Sequence, residues 1–351
     1  MLLHSTWFGT FLLEDGEVVK SHLYPQDPEV LATNMLRVEE GKLLREERRI
    51  VEGLEEFLVT EGRLERLGGT RTKEPAPFLD PAAFGFGVDL LRRAMIVLGK
   101  RQMQRAVQPA DHVIQGIRTL DDLTHARDLL MERLRDWYAL HFPELARMVD
   151  TARFTKLVAE LGHRDEMPLE AGDSLGADIE TKDLLPIQEL ASSLRALQRE
   201  RTTLEGYLEA RMQEVAPNVA YLAGPLVGAR LLALAGGLEE MSRKPASTIQ
   251  LLGAEKAMFR HLRKGTKPPK HGVLFQHPWV HSAPPWQRGP IARALAGKIA
   301  IASRADTYTG RFIAEELKKE VATAVGEAKR THPKPAPRRG KKGRGRKGYR
   351  K

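Results

Sequence analysis

The sequence predicts a mainly α-helical protein: a small α+β N-terminal domain, an antiparallel coiled-coil helical hairpin, an all-α C-terminal domain and a disordered basic tail. Three observations support this fold class: a short β-rich start, two long stretches with leucines at heptad spacing, and an Ala- and Leu-rich segment followed by a run of Lys, Arg, Gly and Pro. The predicted limits of the four parts are 1–110, 111–215, 216–327 and 328–351.

The composition excludes several classes of protein. A hydrophobic content of 42% suits a globular chain of 351 residues, and no run of about 18 apolar residues is present that could span a membrane. The apolar start, MLLHSTWFG, lacks the basic region and the cleavage site of a signal peptide. Because the chain has no cysteine, we exclude disulfides, thiolate catalysis and Cys-based zinc sites, and we expect a cytoplasmic protein.

The positive charge is concentrated in two places. The net charge is +10, but residues 334–351 alone hold ten Lys and Arg and no acid, so the remaining chain is neutral. Within that remainder, residues 243–311 hold thirteen Lys and Arg against two acids, Glu255 and Asp306, and the other parts are acidic. Clustered cations favour nucleic-acid binding, because neutralising phosphates releases counterions. A solvated charged face would have the same composition.

The α+β domain is predicted from its turns and breaks. Two β-rich runs, Leu2–Leu13 and Val18–Tyr24, flank the turn-forming residues Glu14–Gly16 and predict a hairpin. From Val30 to Leu67 the pattern is helical and charged, until a Gly- and Pro-rich stretch breaks it. The glycines of FGFGVDLL (84–91) lack the preceding strand and the acidic partner of a nucleotide-binding loop, so they are interpreted as a loop that enters a helix.

Two long amphipathic stretches predict the helical hairpin. Apolar residues recur at helical spacing from Asp111, and a second such run ends at Pro217. The irregular segment GHRDEMPLEAGDSLGADIE joins them, which makes the two helices antiparallel. Members of the two stripes are Leu123, Leu130, Leu134, Trp137, Leu194, Leu197, Leu204 and Leu208. The alternative is that both stripes form the ordinary core of a helical bundle.

The C-terminal part is predicted to be all-α. From Ala216 to about Glu327 the sequence is rich in Ala and Leu with Gly interruptions, which is typical of short packed helices. The tail beyond it cannot bury enough apolar surface to fold, so we predict that it is disordered and adds nonspecific affinity for RNA.

Four long runs cover most of residues 110–310. They are LRDWYALHFPEL (134–145), APNVAYLAGPLVGARLLALAGGLEEM (216–241), PASTIQLLGAEKAMFRHLRKG (245–265) and KHGVLFQHPWVHSAPPWQRGPIARALAGKIAIASRADTY (270–308). Together, and in this order, they resemble the archaeal Nop family, the scaffold of box C/D ribonucleoproteins that guide ribose methylation. Residues 1–110 resemble the family only in layout. The resemblance implies an N-terminal domain that holds fibrillarin, a coiled coil whose stripes pair two copies of the chain, and a C-terminal domain that clamps RNA.

The resemblance also implies a function. The chain is expected to bind box C/D guide RNA together with a kink-turn-binding ribosomal-type protein, and to position a fibrillarin-like methyltransferase for 2′-O-methylation of rRNA or tRNA. Methyl transfer in such particles belongs to fibrillarin, so the chain is expected to be non-catalytic and to need no cofactor. The alternative is a general RNA-binding or RNA-chaperone module without a methyltransferase. An enzyme acting on nucleic acid is least favoured, because no constellation pairs a nucleophile with a base.

Candidate RNA-binding residues begin in the run GAEKAMFR. Gly253 and Ala254 are small enough to let a backbone come close to another surface, and Lys256 and Arg260 share a helical face that offers two phosphate donors. An ordinary surface helix would carry the same basic pair. The full set predicted to bind RNA or its ribonucleoprotein is Gln250, Gly253, Ala254, Glu255, Lys256, Arg260, Gln276, His277, Arg288, Arg293, Lys298 and Arg304.

The run GVLFQHPWVHSAPPWQRG leaves two questions open. In eukaryotic relatives of the resembled family a base-contacting histidine aligns with Gln276, whereas here the histidine is His277, so either side chain is a candidate. Trp279 and Trp286 would suit stacking on RNA bases, although a core position is favoured for Trp279 in its apolar run.

A metal site is not predicted. His277 and His281 have the i, i+4 spacing of a helical metal site. Pro278 lies between them, however, and no general-base Glu follows His277.

Overall fold

A computed structural model describes residues 1–169 and 174–335 of the chain. The protein forms two compact units, one of residues 1–108 and one that begins at residue 109. The division lies close to the predicted limit of the α+β domain. The two helical parts, which the sequence treats as separate domains, share the second unit.

The first unit contains a five-stranded sheet. The strands are β1 (Leu2–Ser5), β2 (Gly9–Glu14), β3 (Glu17–Leu23), β4 (Leu58–Val59) and β5 (Thr70–Arg71). Their spatial order is β3-β2-β1-β4-β5. The strands β1, β2 and β3 are antiparallel neighbours, whereas β4 runs parallel to β1 and β5 runs parallel to β4.

The strand prediction is only partly correct. The hairpin of β2 and β3 is confirmed, and Asp15 and Gly16 at its turn both have positive φ, 48° and 87°, as a tight two-residue hairpin requires. The run Leu2–Leu13, however, forms two strands. Thr6 interrupts it, because its N–H donates to the Gly9 carbonyl at 2.8 Å while its hydroxyl oxygen accepts from the Gly9 N–H at 3.2 Å. Such local bonds offer the backbone a turn in place of a strand.

Three helices complete the first unit: α1 (Pro28–Glu39), α2 (Arg45–Ile50) and α3 (Val88–Ala106). The helical pattern predicted over Val30–Leu67 is therefore interrupted by turns and by β4, and it resumes as a 3-10 turn. The glycine loop behaves as predicted. Gly85, with φ of 82°, ends a short 3-10 turn, and Gly87 is the cap that precedes α3.

A buried ion pair lies within the first unit. The Glu47 carboxylate is 0% exposed and accepts hydrogen bonds from both terminal nitrogens of Arg63, at 2.6 and 2.7 Å. It also accepts the Ser5 hydroxyl at 2.8 Å and the Leu44 N–H at 2.7 Å. Because four donors satisfy the carboxylate, its burial is tolerated.

The second unit opens with the predicted helical hairpin. Helices α4 (Pro109–Tyr138) and α7 (Thr181–Val215) pack against each other and run antiparallel, because the start of α4 shares a core with the end of α7. The opposite ends form a second core. Two short helices follow α4, namely α5 (Leu145–Met148) and α6 (Thr151–Glu160), and α6 packs on α7.

The rest of the second unit is all-α, as predicted. Its helices are α8 (Pro217–Ala223), α9 (Pro225–Ala235), α10 (Leu238–Arg243), α11 (Ala246–Leu251), α12 (Glu255–Lys264), α13 (Pro278–His281), α14 (Arg288–Arg304) and α15 (Ala314–Thr331). Helix α14 is central, since α8, α10, α11, α13 and α15 all pack on it. Its apolar side chains Ile291, Leu295 and Ile299 are fully buried.

Helix α15 continues to Thr331 and so includes the first residues that the sequence assigns to the tail. Ala328 is buried, and the His332 carbonyl accepts the Trp286 indole N–H at 3.1 Å and the Gln287 amide at 2.7 Å. These contacts hold the end of the helix in place. The prediction of disorder for residues 336–351 lies outside the described residues.

Among the described helices, none is by itself long and apolar enough to cross a bilayer. Helices α8 and α9 together have the length and the apolar composition of a membrane span, but they are bent by 116° relative to each other.

Candidate nucleic-acid interface

A groove of about 540 Å³ lies between helix α4, helix α9 and the loop that ends at Gln276. Three charged residues line it: Arg118 and Asp121 from α4, and Arg230 from α9. The remaining lining residues are Ile117, Ala233, Leu234, Gly253, Gly272, Val273, Phe275 and Gln276. The groove therefore joins the base of the helical hairpin to two of the sequence-predicted site residues, Gly253 and Gln276.

Arg230 organises the polar side of the groove. Its guanidinium donates to both carboxylate oxygens of Asp121, with the shortest contact at 2.5 Å, and to the Gln276 Oε1 at 2.8 Å. Arginine only donates, so this bond fixes the orientation of the Gln276 amide and leaves its NH₂ group as a donor. Gln276 is exposed and is thus presented on a braced side chain.

His277, the alternative to Gln276, is directed inward. Its ring accepts the Trp279 N–H at Nδ1 (3.2 Å), so Nε2 carries the proton and donates to the Leu222 carbonyl at 3.1 Å. The side chain is 8% exposed, and burial lowers the pKa of His277 below its usual 6.5. With both nitrogens engaged inside the protein, His277 positions the start of α13. Of the two side chains, Gln276 is the exposed one.

The close approach predicted for Gly253 occurs within the chain itself. Gly253 has φ of 82°, and a Cβ there would lie 3.4 Å from the Val273 backbone nitrogen and from the Leu234 side chain. Gly272 is tighter still, since its Cβ would lie 1.8 Å from the Leu252 carbonyl oxygen. Two backbone bonds hold the loop here, from the Gly272 N–H at 2.9 Å and from the Val273 N–H at 2.8 Å.

Gln250, predicted to bind RNA, is placed elsewhere. Its side chain is 8% exposed, and its amide donates to the Lys270 carbonyl at 2.7 Å. A buried amide engaged in this way positions the loop that ends at Gln276, and its contact with RNA is not supported by the geometry. The reason is that the α11 face carrying Gln250 packs inward on the core of the unit.

Helix α12 presents the basic pair predicted from GAEKAMFR. None of its residues is buried. Lys256 and Arg260 are exposed and, in the described part of the chain, form no ion pair. Phe259 and Leu262 are 62% and 67% exposed on the same helix. The unpaired cations suit a polyanionic partner, and the uncovered apolar residues are typical of a surface that packs against another molecule.

The two residues before Lys256 set up the start of α12. Ala254 is the residue that caps the helix. Glu255 accepts the Gly253 N–H at 2.8 Å, so its carboxylate serves the turn and leaves the cationic side chains that follow uncompensated.

The four basic residues predicted along α14 are dispersed. Arg288 is half-buried: it donates to the Ala283 carbonyl at 2.8 Å and lies 4.9 Å from the Phe275 ring centre, so it braces the loop. Lys298 pairs with Glu320 of α15. Arg304 donates to the Ser242 carbonyl at 3.1 Å. Arg293 is exposed. A single continuous phosphate-binding surface along α14 is therefore not formed, because the side chains leave the helix in different directions.

Trp279 and Trp286, the two candidates for stacking on RNA bases, are half-buried. Trp279 packs on the core of the unit, as favoured from its apolar run. Trp286 is engaged with the end of α15 through the indole N–H. Neither side chain is fully exposed, as a base-stacking platform would be.

The leucine stripes serve mainly to pair α4 with α7 inside one chain. Leu134, Leu194 and Leu208 are 0 to 2% exposed and so offer no surface to a second copy. The other stripe leucines, Leu123, Leu130, Leu197 and Leu204, are half-buried. Trp137 is 42% exposed. Pairing of two copies stays a prediction, and these less buried members are the ones accessible to it.

Sequence reasoning missed Arg118, Asp121 and Arg230. A signal for Arg230 was present, because it is the only charged residue between Ala216 and Leu238. A lone arginine in so apolar a segment requires a partner, and Asp121 supplies it from a distant part of the chain. Only the fold reveals that pairing. Among the described residues, no three of His, Asp or Glu lie close enough together to hold a metal ion.

Comparison with known proteins places this chain in a family. A family model described as "Nop: snoRNA binding domain, fibrillarin" matches residues 119–327, more than half of the chain. A NOP5 family protein of Methanocaldococcus jannaschii is 44% identical over 257 residues, which cover 68% of this chain and 62% of that protein. Nucleolar protein 56 of Mus musculus is 37% identical over 219 residues, 56% of this chain and 38% of the mouse protein.

Two further matches extend the comparison. A probable nucleolar protein 5-2 of Arabidopsis thaliana is 39% identical over 212 residues, 55% of this chain and 40% of the plant protein. The crystal structure of a fibrillarin/Nop5p complex aligns with a TM-score of 0.42 and 22% identity, covering 93% of this chain and 99% of that one. The matched part of this chain thus spans less than two thirds of the length of each sequence relative named here. The resemblance drawn from the four sequence runs is confirmed, and the chain belongs to the Nop family.

Proposed function

We propose that the chain is the scaffold subunit of a box C/D-type guide ribonucleoprotein. In this proposal the second unit binds guide RNA together with a kink-turn-binding protein, and the first unit holds a fibrillarin-like methyltransferase. The methyltransferase then acts on the 2′-hydroxyl of a target ribose, and the present chain supplies position rather than chemistry. Two copies pair through the helical hairpin.

The observation that carries the proposal is the juxtaposition of the groove with helix α12, since α12 and all of the groove except Ile117 and Arg118 lie in the segment matched by the Nop family. The turn at Gly253 both lines the groove and leads directly into α12. A donor amide at Gln276 suits the edge of an unpaired base, and the cations of α12 suit the phosphates beside it. One RNA would contact both.

The composite partner is supported by the mixed character of this surface. Phe259 and Leu262 are exposed apolar side chains on a helix that also carries cations. Phosphates do not require apolar contacts, whereas a small RNA-binding protein seated beside its RNA would cover them. The kink-turn protein and its RNA therefore fit this surface better together than either alone.

Reconstitution tests the proposal. Purified chain, fibrillarin, kink-turn protein and a box C/D guide RNA are expected to methylate a matched target above the level reached by fibrillarin with guide alone. Methylation that does not depend on the chain would refute the scaffold role.

Variants of the groove test its part in the particle. Gln276→Ala is expected to weaken binding to the preassembled RNA and kink-turn protein, while Gln213→Ala, an exposed glutamine on α7, serves as the matched control. The same affinity for both variants would remove the groove from the RNA site.

A further inference from the structure

A second cavity, of about 510 Å³, lies on the helical hairpin where α4, α6 and α7 meet. Four of its lining residues are cationic: Arg127 of α4, Lys156 of α6, and Arg195 and Arg199 of α7. No lining residue is acidic. The cavity thus brings positive charge from three helices to one place.

Two of the four cations are neutralised locally and two are not. Arg127 pairs with Asp128, and Arg195 pairs with Glu160 at 2.8 Å. Lys156 and Arg199 are exposed and have no ion-pair partner within residues 1–169 and 174–335. The surplus charge therefore comes from α6 and α7, on two different walls of the cavity.

Two of the three neutral polar side chains that line the cavity can also donate into it, whereas the Thr155 hydroxyl donates to the Thr151 carbonyl. Gln198 accepts from Arg127 at 3.0 Å through its Oε1, which leaves its NH₂ group to donate. The Thr151 hydroxyl oxygen accepts from Arg135 at 2.6 Å, so its proton is available to donate in turn. A ligand for this cavity must be negatively charged and rich in acceptor oxygens.

The floor of the cavity is apolar. Met131 and Leu194 are 7% and 2% exposed and belong to the core of the hairpin. An apolar floor between cationic walls accommodates a sugar between two phosphates better than a small hydrated anion, which would leave the floor uncovered.

We propose that this cavity binds the phosphodiester backbone of an RNA, as a second RNA contact separate from the groove. The inference rests on the proposed function, since it assumes that the chain holds a guide RNA. Along α4, Arg127 follows Asp121 of the groove by roughly 9 Å and about 1.7 turns, so the two side chains leave the helix about 120° apart around its axis. The two sites are therefore different faces of one hairpin, and an RNA that fills only the groove does not reach the cavity.

The test uses the full chain with two ligands, each preassembled with the kink-turn protein: a short kink-turn RNA, and the same RNA lengthened by a helical extension. The variant is Lys156→Ala combined with Arg199→Ala, which leaves no carboxylate unpaired. The matched control is Arg153→Ala combined with Lys182→Ala, because these cations lie on the same two helices but do not line the cavity. Lys182 pairs with Glu180, but both side chains are exposed, so losing that ion pair has little effect on stability.

The cavity variant is expected to bind the short RNA as the unaltered chain does. For the long RNA, the slope of log affinity against log salt is expected to fall by about 1.4 to 1.8, from the loss of two phosphate contacts. An unaltered slope overturns the inference. So does an altered oligomeric mass by light scattering, which would assign the cavity to an acidic protein surface of a second copy. If the unaltered chain binds neither RNA, the proposed function itself fails.

Discussion

The sharpest prediction concerns the two unpaired cations of helix α12. Changing Lys256 and Arg260 to Ala removes two positive charges from a helix that has no buried residue, so the fold is expected to remain intact. Alanine has the highest helix propensity, so it can replace both residues without weakening the helix. The change therefore affects binding to a polyanion and little else.

The magnitude follows from counterion release. Each phosphate contact contributes about 0.7 to 0.9 to the slope of log affinity against log salt, so losing two contacts makes the slope shallower by about 1.4 to 1.8. When the salt concentration rises from about 50 to 200 mM, the variant is therefore expected to lose roughly 7- to 12-fold less affinity than the unaltered chain loses. The effect is large enough to separate these residues from a general surface-charge effect.

The assay is a titration of the kink-turn RNA, preassembled with its protein, at four salt concentrations. The matched control is Lys319→Ala combined with Arg330→Ala, a lysine and an arginine that are exposed on α15. It changes the net charge equally but not the surface proposed to bind RNA. If both variants give the slope of the unaltered chain, or if both reduce it equally, the assignment of Lys256 and Arg260 to the RNA site is wrong.

Three further predictions concern stability. Burial lowers the pKa of His277 below 6.5, so the unfolded state binds the proton first and the free energy of unfolding should fall as the pH drops below about 6.5. Urea titrations from pH 8 to 5 should show a smaller fall for His277→Gln than for the unaltered chain. An identical fall would show that His277 is not the source of this pH dependence. Gly272→Ala should lower the melting temperature, since its Cβ meets the Leu252 carbonyl, whereas Gly297→Ala, with open space on α14, should not; equal effects would contradict the steric argument. Arg63→Met should destabilise the first unit by about 3 to 5 kcal/mol by leaving the Glu47 carboxylate buried without its partner, and a loss below about 1 kcal/mol in urea unfolding would contradict this.

The elements that sequence predicts best are those that depend on local pattern. The long helices follow from apolar spacing alone, and the hairpin of β2 and β3 follows from the turn at Asp15 and Gly16. The break at Thr6 was missed, because two hydrogen bonds to one neighbouring residue outweigh the β propensity of the whole run. A single side chain can thus divide a strand that composition presents as continuous.

In the candidate site, too, the features set by local sequence pattern were predicted and those set by distant partners were not. The exposed cations of α12 were predicted, since the helical pattern places Lys256 and Arg260 on one face. Which of Gln276 and His277 faces outward could not be predicted, because it depends on the Leu222 carbonyl, which lies far away in sequence. Arg230 required the same kind of information. Partners that are distant along the chain decide which polar residues face outward and which are used inside.

The groove also depends on how the hairpin and the all-α part are joined. Val113 and Ile117 of α4 share one continuous core with Leu231 of α9 and Leu295 of α14, so the two walls of the groove belong to a single packed body. Close-packed interiors transmit displacement rather than absorb it. The ion pair of Asp121 with Arg230 crosses the groove at its surface, where the carboxylate is half exposed and adds little stability by itself. Its main consequence is orientation, because the same guanidinium holds the Gln276 amide. The packed core thus sets the width of the groove, and Arg230 sets the direction in which its donor points.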